Sequence, residues 1–494
     1  MSNPKSRRPS KASRSKRKAS CGKSAPKKAT APSPLLLKEG LCAGDLQRHF
    51  QRLFPQTSII LWLAGAQLYE RGFTPLITLW YLVFGVLSGR ATLEDIVENA
   101  AAGGADRLSP KGKAPLSRVL KSVSTSSWST ARMRVPLGMF KEALVSSGQA
   151  VRSMVSNSWH GLKTVVLDGS TFRLAPHGDI PEVFPPHPSR SKSKPYWCLG
   201  RSVAAFCMFT GAVLACQTAS SLVSEQTLVW QLFLEGSWMD TLFVADRNFG
   251  VYSVVRAAVS ANAHLLVRLT ACRAKKLARD AQLTLGDRLD HLVLWDPTLN
   301  DKCRPDLSRD PVTGRLIAAR ISRRGFKTFT LYLFTTLVDP QITVQELVEL
   351  YGERWQVELN LRHVKSDLNL FFLNCKSADM AHKLWLAGLI AYNLVRYVMS
   401  AAAALSRQSV FKLSFCRALK ALLHWLPLMA HNGPTTTALW IGLMKRIARF
   451  TSPKRKKARP SEPRSVRPAH SALPILKGDR AAARKKLALS NANS

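Results

Sequence analysis

KTVVLDGSTFRL, residues 163–174, is a β-branched apolar run that reaches an acid, Asp168, and then a Gly-Ser turn signal. Residues 239–249, MDTLFVADRNF, repeat the arrangement around Asp246. The segments around these two have the same texture. WCLGRSVAAFCMF (197–209) and AVLACQTAS (212–220) read as strands. SEQTLVWQLFLEGS (224–237) reads as a helix with Ser224 as its N-cap. GVYSVVRAAVSANA (250–263) reads as a helix and HLLVRLT (264–270) as a strand. Three strands followed by helix, strand, helix and strand predict an α/β sheet of mixed strand direction.

The style changes on either side. Residues 272–342 carry three strand-like runs, HLVLWDP, RLIAARIS and FKTFTLYLFTTLVD, parted by turns, and are expected to be a β-rich insertion. From 343 the pattern is helical, with Thr343 and Glu346 matching a capping box. Upstream, LCAGDLQRHFQRLF and LEDIVENAAAG show apolar residues at helical spacing. Two runs, 73–89 and 384–405, are apolar enough to raise the question of a membrane. The first is at the lower edge of spanning length and the second is interrupted by Asn393 and Arg396, so both read as buried helices and no stable membrane association is expected. Pro75 suits the first turn of the earlier one.

The expected organisation is a disordered basic tail (1–37), a helical DNA-binding domain (38–150), the first part of the core (151–271), the β-rich insertion (272–342), the second part of the core (343–405), a helical C-terminal region (406–450) and a second basic tail (451–494). A helical scaffold with solvated basic residues is the plainer reading of 38–150. The nine cysteines are scattered without CxxC pairs, the pattern of reduced thiols in a cytoplasm rather than a disulfide framework or zinc site.

Charge narrows the partner. The 494 residues contain 72 Lys and Arg against 31 Asp and Glu, a net +41. The two tails account for about half of that excess, so the body is basic as well. A basic body of this size points to nucleic acid, with ribosomal and membrane-surface partners as the competing explanations.

An acid closing a buried strand can simply cap a turn, and that reading applies to Asp168 and Asp246 singly. Together, in a basic chain, they favour a carboxylate pair holding a hard cation such as Mg²⁺ alongside phosphate. A third acid comes from YGERWQVELNLRHVKSDL, residues 351–368. On one regular helix, Tyr351 lies about +20° from Glu358, Arg354 about −40° and Lys365 about −20°, so four polar groups share a narrow face. A plain ion pair between Arg354 and Glu358, four residues apart, is the alternative. His363, about 140° away from Glu358, reads as structural.

The series Tyr351, Arg354, Glu358 and Lys365, Tyr-x2-Arg-x3-Glu-x6-Lys, resembles the defining motif of the insertion-sequence-four family of bacterial DDE transposases. LDGSTFRL and VADRNFG are similar to that family's first and second acid motifs, with Asn248 standing where members often carry Gly. Looser likenesses are SSWSTARMRVPL (126–137) and RPSEPRSVRP (459–468). The resemblance implies a ribonuclease-H-like core, with Asp168 on the first strand, Asp246 after the fourth and Glu358 on a late helix beyond the insertion. It implies catalysis by these three acids holding two divalent ions, Mg²⁺ with Mn²⁺ as substitute. It further implies DNA contacts from Tyr351, Arg354 and Lys365, and a synaptic complex of at least two copies on double-stranded DNA. It implies an aromatic that receives a flipped base; Trp295 is one of several candidates and none is assigned. The site of action is expected to be the bacterial cytoplasm, at the nucleoid. A metal-dependent nuclease, or an inactive DNA-binding relative of the same fold, is the alternative.

Overall fold

The computed structural model describes residues 50, 72–89, 91–155, 158–186, 196–298, 308–322, 328–431 and 436–451, with four positions near the C-terminus, 479, 481, 482 and 485. The tails expected at 1–37 and 451–494 lie outside the described residues, apart from Thr451 and those four positions. Described residues up to 451 belong to one compact unit. In the second unit, 323–327 with 453–494, the Asp479 carboxylate accepts the Ala482 backbone N–H at 3.0 Å.

The N-terminal region is helical throughout its described length: α1 (Pro75–Leu87), α2 (Leu93–Ala101), α3 (Ser126–Arg134) and α4 (Leu137–Ser153). Pro75 opens α1 behind a Thr74 cap, where a missing N–H costs nothing. Thr92 and Asp95 form a reciprocal capping box on α2. The apolar run that raised the membrane question is buried in the protein.

The sheet has nine strands: β1 (Lys163–Leu174), β2 (Cys198–Cys207), β3 (Val213–Ser220), β4 (Thr241–Ala245), β5 (His264–Arg268), β6 (Arg288–Trp295), β7 (Val312–Ile321), β8 (Phe329–Thr335) and β9 (Phe372–Leu373). Their order is β3-β2-β1-β4-β5-β8-β7-β6, with the short β9 against the far end of β1. Strands β1, β2 and β3 are antiparallel, whereas β1, β4 and β5 run parallel through α5 (Glu225–Glu235) and α6 (Tyr252–Ser260). Ser224 caps α5 as its sequence predicts. The core is thus a mixed α/β sheet.

The strands of 272–342 do not form a sheet of their own. A helix, α7 (Ala271–Asp280), precedes them, and β8 pairs antiparallel with β5, Leu266 opposite Thr335, so β8, β7 and β6 prolong the core sheet.

Beyond the sheet come α8 (Val344–Glu353), α9 (Gln356–Arg362), the long α10 (Ala378–Leu405), α11 (Phe415–His431) and α12 (Thr436–Ala448). By length and composition α10 is apolar enough to cross a membrane, and that apolar stretch is wholly buried in the protein. Its two interrupting polar residues are both satisfied, as buried polar groups must be. Asn393 brackets Val213 on β3, accepting its N–H and donating to its carbonyl, each at 2.8 Å. Arg396 is anchored among α9, α10 and α11, as detailed below.

Candidate active site

The parallel register of β1 and β4 places the first two acids together. Val166 lies opposite Val244, and two residues further along each chain stand Asp168 and Asp246. Equal offset on parallel neighbours puts both side chains on the same face, on strands roughly 4.8 Å apart. Their backbones differ from the sequence reading in one respect. Asp246 does follow the last residue of β4, and its Oδ1 accepts the Asn248 N–H at 2.8 Å, an Asx turn. Asp168 does not end its strand: β1 runs on to Leu174 because β2 continues to pair with it, Asp168 opposite Ala204. The Gly-Ser turn signal at 169–170 is therefore a strand. Gly169 serves a close approach instead, since a methyl group there would collide with the Glu225 carboxylate.

Burial pushes the Asp168 carboxyl up to about 6, and repulsion from Asp246 and Glu225 adds to it. The Gly169 N–H, bonded to Oδ1 at 2.9 Å, and the Arg354 guanidinium act against that rise.

The segment carrying the third acid is not one regular helix, which corrects the face argument built on a constant 100° per residue. Helix α8 ends at Glu353, Arg354 and Trp355 turn the chain, and α9 starts at Gln356. The N–H groups of Val357 and Glu358 reach back only three residues, to Arg354 and Trp355. After α9 the chain widens into a π turn, His363–Asp367. The four motif residues nevertheless serve the same crevice. Arg354 is poised over the Tyr351 ring at 5.9 Å and donates to Glu358 Oε1 at 3.3 Å. Burial disfavours the charge of Arg354, but Tyr351, Asp168, Asp246 and Glu358 outweigh it and hold its pKa above the ordinary value. Tyr351 is buried, and burial raises its hydroxyl pKa; Asp246 also raises it, while Arg354 and Arg268 pull it down. Burial lowers the Lys365 pKa, Asp168 raises it and Arg173 lowers it. Arg173 and Lys365 flank the Phe371 ring, at 4.6 and 5.8 Å.

Glu358 is the outlying member. Its side chain is 61% exposed, and its ion pair is with Arg354. Among the described residues no three His, Cys, Asp or Glu side chains are gathered closely enough to hold a metal ion. The donor chemistry nonetheless fits a hard divalent cation: oxygen ligands crowded enough to raise one carboxyl, with Arg354 supplying the nearby positive charge.

Behind this segment Arg396 donates to Asn360 Oδ1 at 2.6 Å and to the Tyr392 hydroxyl at 2.7 Å, and packs over the Tyr392, Phe411 and Phe415 rings. His363 stacks on Phe415 at 4.6 Å; burial first, then Arg396 and Arg362, push its pKa down to about 3. It is a neutral packing residue. Trp295 is also core, buried edge-on against Phe334, which removes it from the candidate base acceptors. Trp355, at the break between α8 and α9, is 54% exposed. Sequence reasoning missed Glu225, which sits in the site although its only sequence signal is a place after a helix cap.

Residues 159–394, just under half of the chain, match the family described as the transposase DDE domain. The chain is 24% identical over 247 residues to transposase InsG for insertion sequence element IS4 of Escherichia coli strain K12, covering 49% of this chain and 53% of that protein. It thus spans about half the length of the curated relative it matches. A looser likeness is to the cryo-EM structure of a piggyBac transposase synaptic complex with hairpin DNA, with 11% identity, 78% of this chain and 77% of that one covered, and a TM-score of 0.39. The sheet carrying Asp168 and Asp246 therefore lies in a transposase DDE domain. The chain belongs to the DDE transposases of the insertion-sequence-four type.

Proposed function

We propose that the protein is a DNA transposase that cleaves transposon ends and joins them to target DNA. The observation that carries this reading is the matched register of Asp168 and Asp246 on neighbouring parallel strands, with Arg354 linking them to Glu358, inside a DDE domain. The order β3-β2-β1-β4-β5 supports a ribonuclease-H-like core, with one acid on the first strand, one after the fourth and one on a helix beyond β8.

Asp168, Asp246 and Glu358 would hold two divalent ions, Mg²⁺ or Mn²⁺, which when bound supply an activated water or 3′-hydroxyl and charge relief at the leaving oxygen. The chain's own residues do the rest. Lys365 and Arg173, adjacent cations on one aromatic ring, offer a place for a backbone phosphate between them. Arg354 balances the acids and is within reach of a phosphate entering beside them, while the buried Tyr351 holds the position of Arg354. Two DNA ends require at least two copies in the reacting complex, and the place of action is the nucleoid in the cytoplasm.

The test is a cleavage assay with Mg²⁺ or Mn²⁺ on the DNA flanking the gene, comparing wild type with Glu358→Ala. Metal-dependent nicking at a repeat end, lost in the variant while DNA binding persists, is the expected result. Equal nicking by both proteins would remove Glu358 from the mechanism.

A further inference from the structure

Glu225 is the first residue of α5, directly after the Ser224 cap. An acid there suits the positive end of a helix whatever else it does. That preference accounts for the charge and leaves its contacts unexplained. The Asn248 side-chain N–H₂ donates to Glu225 Oε2 at 2.5 Å, and the next residue, Gln226, donates to the Asn248 carbonyl at 2.9 Å. The Asn248 backbone N–H is in turn the donor that fixes Asp246. The first turn of α5 therefore grips the Asp246 turn at two points. On its other side the Glu225 carboxylate lies so close over Gly169, next to Asp168, that no Cβ fits between them. One side chain thus touches the backbone neighbourhood of both aspartates, whereas Glu358 is engaged with Arg354.

We propose that Glu225 is a fourth carboxylate of the metal centre, a positioning residue that steadies the Asp246 turn through Asn248 and adds negative charge beside Asp168, so that divalent cations bind more tightly. This rests on the metal-holding role given above to Asp168 and Asp246. Outer groups that orient ligating carboxylates typically govern affinity by 10–100-fold. Charge and tether are separable: Glu225→Gln keeps the size and an acceptor for Asn248 while removing the charge, and Asn248→Ala keeps the charge while removing the tether.

The experiment is calorimetric titration of the full chain with Mn²⁺ for wild type, Glu225→Gln, Asn248→Ala and Asp246→Asn, with thermal unfolding followed in parallel. The expected result is roughly tenfold weaker Mn²⁺ binding in Glu225→Gln and in Asn248→Ala at unchanged melting temperature, and loss of binding in Asp246→Asn. Should Glu225→Gln fail to fold, Asn248→Ala carries the test. Wild-type affinity in both variants, with binding lost in Asp246→Asn, overturns the role of Glu225 alone. Wild-type affinity in Asp246→Asn as well overturns the metal reading and this inference with it.

Discussion

The segment from Val344 to Asp367 has two sides with opposite electrostatics. Toward β1 and β4 it faces an acid cluster that is not at rest: burial, Asp246 and Glu225 hold the Asp168 carboxyl at about 6, with Arg354 as counter-charge. Toward α10 and α11 it faces a cation whose bonds are made. There Arg396 is held by Asn360 and Tyr392 and shielded by three aromatic rings, beside a histidine kept neutral. The first side keeps unspent interaction free energy for a ligand. The second spends its own on fixing a broken helix and its π turn in place. The difference teaches where substitutions should cost activity and where they should cost stability.

The largest contrast is expected from Asp246→Asn. It should lower end nicking by at least about 10³-fold, since ion binding by the acids is worth several kcal/mol in the transition state. It should leave the unfolding free energy unchanged or slightly higher, because a repulsion is removed; a marked loss of stability would erase the contrast. Next comes Arg396→Leu, which strands Asn360, the Tyr392 hydroxyl and their neighbours in a dry site. Urea unfolding should show a loss of about 3–5 kcal/mol; a loss under about 1 kcal/mol would mean that the rear network is incidental.

Titration sharpens the comparison, because the two sides respond to acid with opposite sign. His363 has a folded pKa below its unfolded value of about 6.5, so the unfolded chain takes up the proton first and stability falls as pH drops below that value, by about 2 kcal/mol between pH 7 and pH 5. Asp168 has a folded pKa near 6, above its unfolded value, so the folded state takes up the proton first and regains about 1 kcal/mol over the same interval. Urea unfolding at both pH values should therefore show a shallower acid loss in His363→Gln and a steeper one in Asp168→Asn. Identical pH dependence in wild type and both variants would contradict these assignments. The smallest effect is expected from Gly169→Ala, which forces the new methyl against Glu225; a loss of about 1–2 kcal/mol is the measure of that overpacking.

Much of this was legible in the chain. Period-two apolar runs gave the strands, and caps such as Ser224 and the Thr343–Glu346 pair fixed helix starts. The acids stood out because each follows a buried run. What misled was local chemistry overridden by partners. Gly169-Ser170 has the composition of a turn, yet the pairing of β2 with β1 carries the strand through it. Regular helical spacing over 351–368 conceals a break and a π turn whose supports, Arg396, Tyr392 and Phe415, are distant in sequence. Strands β6 to β8 read as a separate insertion because nothing local marks Leu266 as the partner of Thr335. Glu225 was hidden for the same reason: its contacts to Asn248 and Gly169 exist only once α5 lies across the strand ends.

The central claim is that Asp168, Asp246 and Glu358 act as one metal-holding set although Glu358 pairs with Arg354 in this structure. The direct measurement is a crystal structure of the full chain grown with Mn²⁺ and end DNA, with the ions located by anomalous scattering. The account predicts manganese bound by both aspartates and by Glu358, with the Arg354–Glu358 ion pair broken. Manganese on the aspartates with Glu358 still paired to Arg354, or no manganese at the aspartates, would contradict it.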